Sequence, residues 1–105
     1  MNCDREIQMI RSFADEATQD IFDGINSKKA RALINPTLFS LARRKLDLIN
    51  AAIDLNDLSV PPSNHLEPLR GDLKGKYSIR INQQYRIVFR WTIHGAEEVE
   101  IMDYH

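Results

Sequence analysis

The sequence predicts an α+β fold in which N-terminal helices pack on one face of a twisted antiparallel sheet, and three observations predict it. Apolar residues recur at helical spacing after Asn35, a two-residue alternation takes over from Tyr77, and a proline-rich connector, Val60-Pro61-Pro62-Ser63, separates the two regimes. At 105 residues the chain is long enough for one domain and too short for two.

The elements follow in chain order. Met9-Ile10-Arg11-Ser12-Phe13 alternates weakly and reads as an edge strand. Residues 1–8 read as an N-terminal extension, leaving 9–105 as the domain. From Ala14 to Ile25 the pattern is ambiguous, because Ile21, Phe22 and Ile25 have helical spacing that Gly24 and Asn26 interrupt. Ser27 is a plausible N-cap for a short helix from Lys28 to about Ile34. Asn35 then caps and Pro36 takes a first helical position, predicting a helix to about Asp54. Its apolar stripe is Leu38, Leu41, Ala42, Leu48, Ile49 and Ala52, widened by Leu46 and Ile53. Beyond the connector, Tyr77, Ile79 and Ile81 alternate with Ser78, Arg80 and Asn82. After a turn at Asn82-Gln83-Gln84, Tyr85, Ile87, Phe89 and Trp91 alternate with Arg86, Val88 and Arg90. Past His94-Gly95, Val99 and Ile101 alternate with Glu100 and Met102. Three strands in a meander would place Arg80, Arg86 and Arg90 on the face turned away from the helix.

Charge supports that division. The formal net charge is only −1, yet six basic residues face one acid, Asp47, between Lys28 and Asn50. Six more (Arg70, Lys74, Lys76, Arg80, Arg86, Arg90) face only Glu67 and Asp72 between Asn64 and His94. Phosphate binding depends on a positive face rather than on the average, so a nucleic-acid partner stays open. With a single cysteine, Cys3, no internal disulfide is expected. His65, His94 and His105 have no metal-ligand spacing, so neither metal nor cofactor is expected. No apolar run approaches the roughly 20 residues that span a bilayer, and the polar opening Met1-Asn2-Cys3-Asp4 is unlike a signal peptide. The expectation is a reducing, cytoplasmic setting without membrane contact.

Metal-free RNA cleavage needs a base for the ribose 2′-OH, positive charge on the phosphate, and an acid for the departing 5′ oxygen. Glu67 precedes a proline, so its backbone is expected to be extended, with the carboxylate over the sheet. The last strand runs straight into Asp103, Tyr104 and His105, and alternation puts Tyr104 on the side of Glu100 and Met102. Glu67, the arginines and the Tyr104–His105 pair can fill the three roles. The ordinary alternatives are a wet antiparallel face that happens to carry arginines and a C-terminal tail whose tyrosine covers the edge of the core.

Arg70-Gly71-Asp72, Tyr77-Ser78-Ile79-Arg80, Tyr85-Arg86-Ile87-Val88-Phe89 and Asp103-Tyr104-His105 together resemble the HigB-type toxins of the RelE/ParE superfamily, over about Met9 to His105. The resemblance implies a RelE-like microbial RNase-type fold and ribosome-dependent cleavage of mRNA in the 30S A site. It also implies neutralisation by a helix-turn-helix antitoxin of the HigA type, with operator DNA met only through that antitoxin. In that pattern Arg86 matches the phosphate-clamping arginine, and Asp103, Tyr104 and His105 match the C-terminal active-site residues. Arg70, Lys74, Lys76, Arg80 and Arg90 are the remaining candidates for RNA contact. One departure stands out. Some HigB toxins have histidine immediately before the Pro-Leu-basic-Gly-Asp run, where this chain has Glu67. His65, two residues earlier, would point the same way if the segment were extended, so the base is Glu67, His65 or neither.

Two other readings compete: a non-nucleolytic toxin such as the gyrase-inhibiting branch of the superfamily, which has no need of the Tyr-His ending, and a nucleic-acid-binding module without catalysis. The basic helix after Asn35 is a candidate antitoxin surface or simply a solvated face.

Overall fold

In the computed structural model, which describes residues 10–104, the first strand lies after the connector, and the described residues before it form helices, their connections and a segment that closes an edge of the sheet. The expected extension, Cys3 and His105 lie outside that range.

Helix α1 (Glu16–Asp23) resolves the ambiguous stretch. The Asp15 side chain accepts the Thr18 N–H, and Gly24 closes the helix in the left-handed region at φ 78°. Helix α2 (Lys28–Leu33) has Ser27 as its cap, as expected. Helix α3 (Phe39–Ala51) is shorter at both ends than its periodicity suggests. Asn35 caps a 3₁₀ turn at Pro36–Leu38 instead of the helix itself. At the far end Asp54 and Asp57 form a capping box for a second 3₁₀ turn, Leu55–Ser59, which stops the helix at Ala51. The stripe shifts accordingly. Ala42, Leu46 and Ile49 are its fully buried members, whereas Ile53, beyond the helix, is 77% exposed.

The connector leads through a 3₁₀ turn at Pro62–Asn64 into a four-stranded antiparallel sheet of order β1-β2-β3-β4. The strands are β1 (Glu67–Pro68), β2 (Lys76–Arg80), β3 (Tyr85–Thr92) and β4 (Gly95–Asp103). Sequence alternation predicts three; β1, at two residues, is too short to alternate. Of the segment expected to be an edge strand, the described residues 10–13 make isolated parallel bridges to β4, at Ile10–Ala96 and Phe13–Val99. The core forms where Ile79, Ile87, Phe89, Val99 and Ile101 meet Ile21, Ala42, Leu46, Ile49 and Leu58.

The other face of the sheet differs from expectation. Ser78 and Val88 are fully buried on it, and Arg86 is 5% exposed. The cause is topological: the 62–64 turn packs back onto β2, so part of the predicted wet face is roofed by the chain's own connector.

Candidate active site

Arg86 lies on β3 and pairs with Arg80 across to β2 and with Met102 across to β4. Burial of a guanidinium requires partners for its N–H groups, and the fold supplies them from three directions. Its Nε donates to Ser78 Oγ at 2.7 Å. Its Nη2 donates to the His65 carbonyl at 2.7 Å and lies 3.4 Å from Glu67 Oε1. The Tyr104 ring covers the group, with Cζ 5.2 Å from the ring centroid. Burial lowers the Arg86 pKa and the charge of Arg80 pulls the same way, while Glu67 and Tyr104 oppose them.

Each partner has a local cause. Glu67, held extended before Pro68, pairs with Ser78 in the β1–β2 register, which puts its side chain on the face of Arg86. Tyr104 follows β4 by alternation to that same side, and its backbone N–H donates to the Gln84 carbonyl at 2.7 Å. The residue remains 39% exposed. Asp103 sits opposite Tyr85 on the other side of the strand, where Gln84 Nε2 donates to its Oδ2 at 3.1 Å. It therefore fastens the C-terminal strand to the 82–84 turn, beside Tyr104.

His65 does not follow the extended path that would align it with Glu67. Its backbone is left-handed, at φ 49° and ψ 52°, and it is the carbonyl that reaches Arg86. The exposed imidazole and the Glu67 carboxylate are thus not equivalent occupants of one side.

The other cations divide into two groups. Lys76 and Arg90 both pair with Glu98, at 3.4 and 3.6 Å. That contact comes from a β-bulge: pairing jumps from Val88–Glu100 to Arg90–Glu97, and Glu98 takes φ 54°. Arg80 is half-buried and Arg70 and Lys74 are exposed, with no ion pair on any of the three among the described residues. A cleft of about 460 Å³, lined by Glu67, Pro68, Leu69, Arg70 and Tyr104, opens beside the buried guanidinium. Among the described residues no three His, Cys, Asp or Glu side chains converge as a metal site requires, and no helix is long and apolar enough to cross a membrane.

Sequence reasoning missed Ser78 and the His65 carbonyl as partners of Arg86. Ser78 was legible in part, since alternation already placed it on the arginine face. The carbonyl was not, because nothing in the local pattern announces a left-handed residue at His65.

Comparison with known proteins now decides the family. Residues 11–105 match the model of the HigB-like toxins, described as RelE-like toxins of type II toxin-antitoxin systems. The chain belongs to that family. It is 37% identical over 84 residues to Toxin HigB-1 of Vibrio cholerae serotype O1, covering 80% of this chain and 85% of that protein. An uncharacterized protein of Haemophilus influenzae is 45% identical over 58 residues, covering 55% and 57% of the two chains. Among solved structures, the YoeB-YefM complex from Staphylococcus aureus matches with a TM-score of 0.57 and 24% identity, over 91% of this chain and 94% of that one. That likeness shows a shared fold, the RelE-like arrangement of helices on an antiparallel sheet. The HigB-like match runs to the last residue and takes in the Asp103-Tyr104-His105 ending.

Proposed function

We propose that this HigB-like toxin is a ribosome-dependent endoribonuclease that cleaves mRNA in the 30S A site without needing a metal. The observation that carries the reading is the buried Arg86 guanidinium with the Glu67 carboxylate at 3.4 Å and the Tyr104 ring at 5.2 Å. A charge already stripped of water and held on fixed partners stabilises a phosphate gaining charge better than a mobile surface arginine does.

In this reading Glu67 takes the proton of the ribose 2′-OH. The 2′ oxygen attacks phosphorus, and Arg86 holds the phosphate oxygens as their charge grows. The P–O5′ bond breaks, and the departing oxygen receives a proton from Tyr104 or His105, leaving a 2′,3′-cyclic phosphate and a 5′-OH. Glu67 is preferred to His65 as base because its carboxylate is already beside the guanidinium. Asp103 positions Tyr104 and His105, and the His105 imidazole is the alternative proton donor. Arg70, Lys74 and Arg80 contact RNA outside the scissile phosphate; Lys76 and Arg90 contribute less, being held by Glu98. A helix-turn-helix antitoxin of the HigA type neutralises the toxin in the cytoplasm and links it indirectly to operator DNA.

The test is to map mRNA ends in a translating reaction supplied with purified protein. Breaks confined to ribosome-bound message, with cyclic-phosphate 3′ ends, are the expected result. Growth arrest with intact mRNA would refute the nuclease reading.

A further inference from the structure

Asn64 is completely buried, in a segment where no other side chain is both polar and fully enclosed. It lies in the 62–64 turn, which packs against β2 and against the Leu55–Ser59 turn. Both of its amide N–H groups are used: Nδ2 donates to the Leu58 carbonyl at 3.1 Å and to the Val60 carbonyl at 3.3 Å. Its Oδ1 accepts from Lys45 Nζ on α3 at 2.6 Å. Burial lowers the pKa of that ammonium from its usual 10.5, with Arg44 adding to the effect, so the tie runs through a partly dehydrated charge. The turn is closed further by backbone bonds from Asn64 N–H to the Pro61 carbonyl and from His65 N–H to the Pro62 carbonyl.

The residue immediately after this knot is His65, whose carbonyl accepts from Arg86 Nη2. A carbonyl can hold a guanidinium in one orientation only if its own peptide is held, and Asn64 fastens that peptide to both α3 and the 58–60 loop. We propose that Asn64 is a positioning residue: through the His65 carbonyl it fixes the orientation of Arg86, without touching the reacting atoms. Its role in turnover rests on the endoribonuclease reading; its effect on the guanidinium does not.

Two variants test this. Asn64→Asp keeps an acceptor for Lys45 but removes both donors to the connector. Lys45→Met keeps the donors and removes the tie to α3. In each, hydrogen exchange of the Arg86 Nε–H, followed by NMR at a temperature where the protein is fully folded, reports the guanidinium directly. Asn64→Asp should raise that exchange about tenfold and lower kcat for ribosome-bound mRNA about tenfold, leaving KM within about twofold. Lys45→Met should move both in the same direction by about threefold, and it carries the test if Asn64→Asp does not fold. A lower melting temperature with unchanged exchange and unchanged kcat would overturn the proposal, leaving Asn64 a structural residue only. If the wild-type protein cleaves nothing while the Arg86 signal still shifts in the variants, the nuclease reading fails and the positioning role stands.

Discussion

Arg86 and Arg90 lie on one strand and one face of the sheet, yet they end in opposite situations. Arg86 is 5% exposed and held by a hydroxyl, a backbone carbonyl, a carboxylate and an aromatic ring. The Arg90 side chain is 41% exposed and has one long ion pair, to Glu98 at 3.6 Å. Alternation sorts both to the same face; what separates them is that the connector and Tyr104 close over one and leave the other in water. A guanidinium in the first situation has lost its hydration and retains directed partners, which suits it to stabilise a developing charge. In the second it is a screened surface charge whose pairing contributes little.

The contrast is broken most directly at Arg86. Arg86→Ala should lower mRNA cleavage by about 100- to 1,000-fold, and Arg86→Lys should recover little of that, since an ammonium cannot reproduce the planar fork. Single-turnover cleavage on programmed ribosomes measures both. Next in size is Tyr104. Tyr104→Phe keeps the ring over Arg86 and loses the phenol, so a fall of about 100-fold is expected if Tyr104 is the acid. Tyr104→Ala should cost a further ~1 kcal/mol through loss of the ring over the cation, read as a steeper loss of cleavage and of stability.

Smaller effects sharpen the other side of the comparison. Arg90→Ala and Lys76→Ala should each change cleavage by less than about threefold and lower the salt dependence of RNA binding by less than one phosphate contact. Glu98 already neutralises part of both. The smallest effect concerns Lys45. Its pKa is lower in the folded than in the unfolded chain, so the unfolded chain binds more protons as pH rises towards 10.5. Stability should therefore gain slightly with pH over that interval relative to Lys45→Met, in which the gain disappears. Denaturation midpoints across the alkaline range check it.

How far the sequence revealed this follows from the range of each interaction. The α+β order, the Ser27 cap and the meander from Tyr77 are set by residues close in the chain, and all appear where the pattern puts them. The ends of α3 differ from its apolar period because Asn35 caps a 3₁₀ turn ahead of the helix and the Asp54–Asp57 capping box competes with its continuation at the far end. In the site, Arg86, Tyr104 and Glu67 were legible because alternation and the residue before a proline fix which way each points. Ser78, Asn64 and the His65 carbonyl are partners at a distance, set by how the connector crosses β2, and that crossing leaves no periodic trace. The β-bulge at Glu98 is another such case: it carries an acid onto the face that the charge distribution had marked as basic.

The most direct measurement is the single-turnover cleavage rate of Arg86→Ala and Arg90→Ala proteins, side by side on the same ribosome-bound mRNA. A rate lower by at least about 100-fold for the first, with the second within about threefold of wild type, is the predicted result. Equal losses in both, or an Arg86→Ala protein as active as wild type, would contradict the assignment of the buried guanidinium as the catalytic charge.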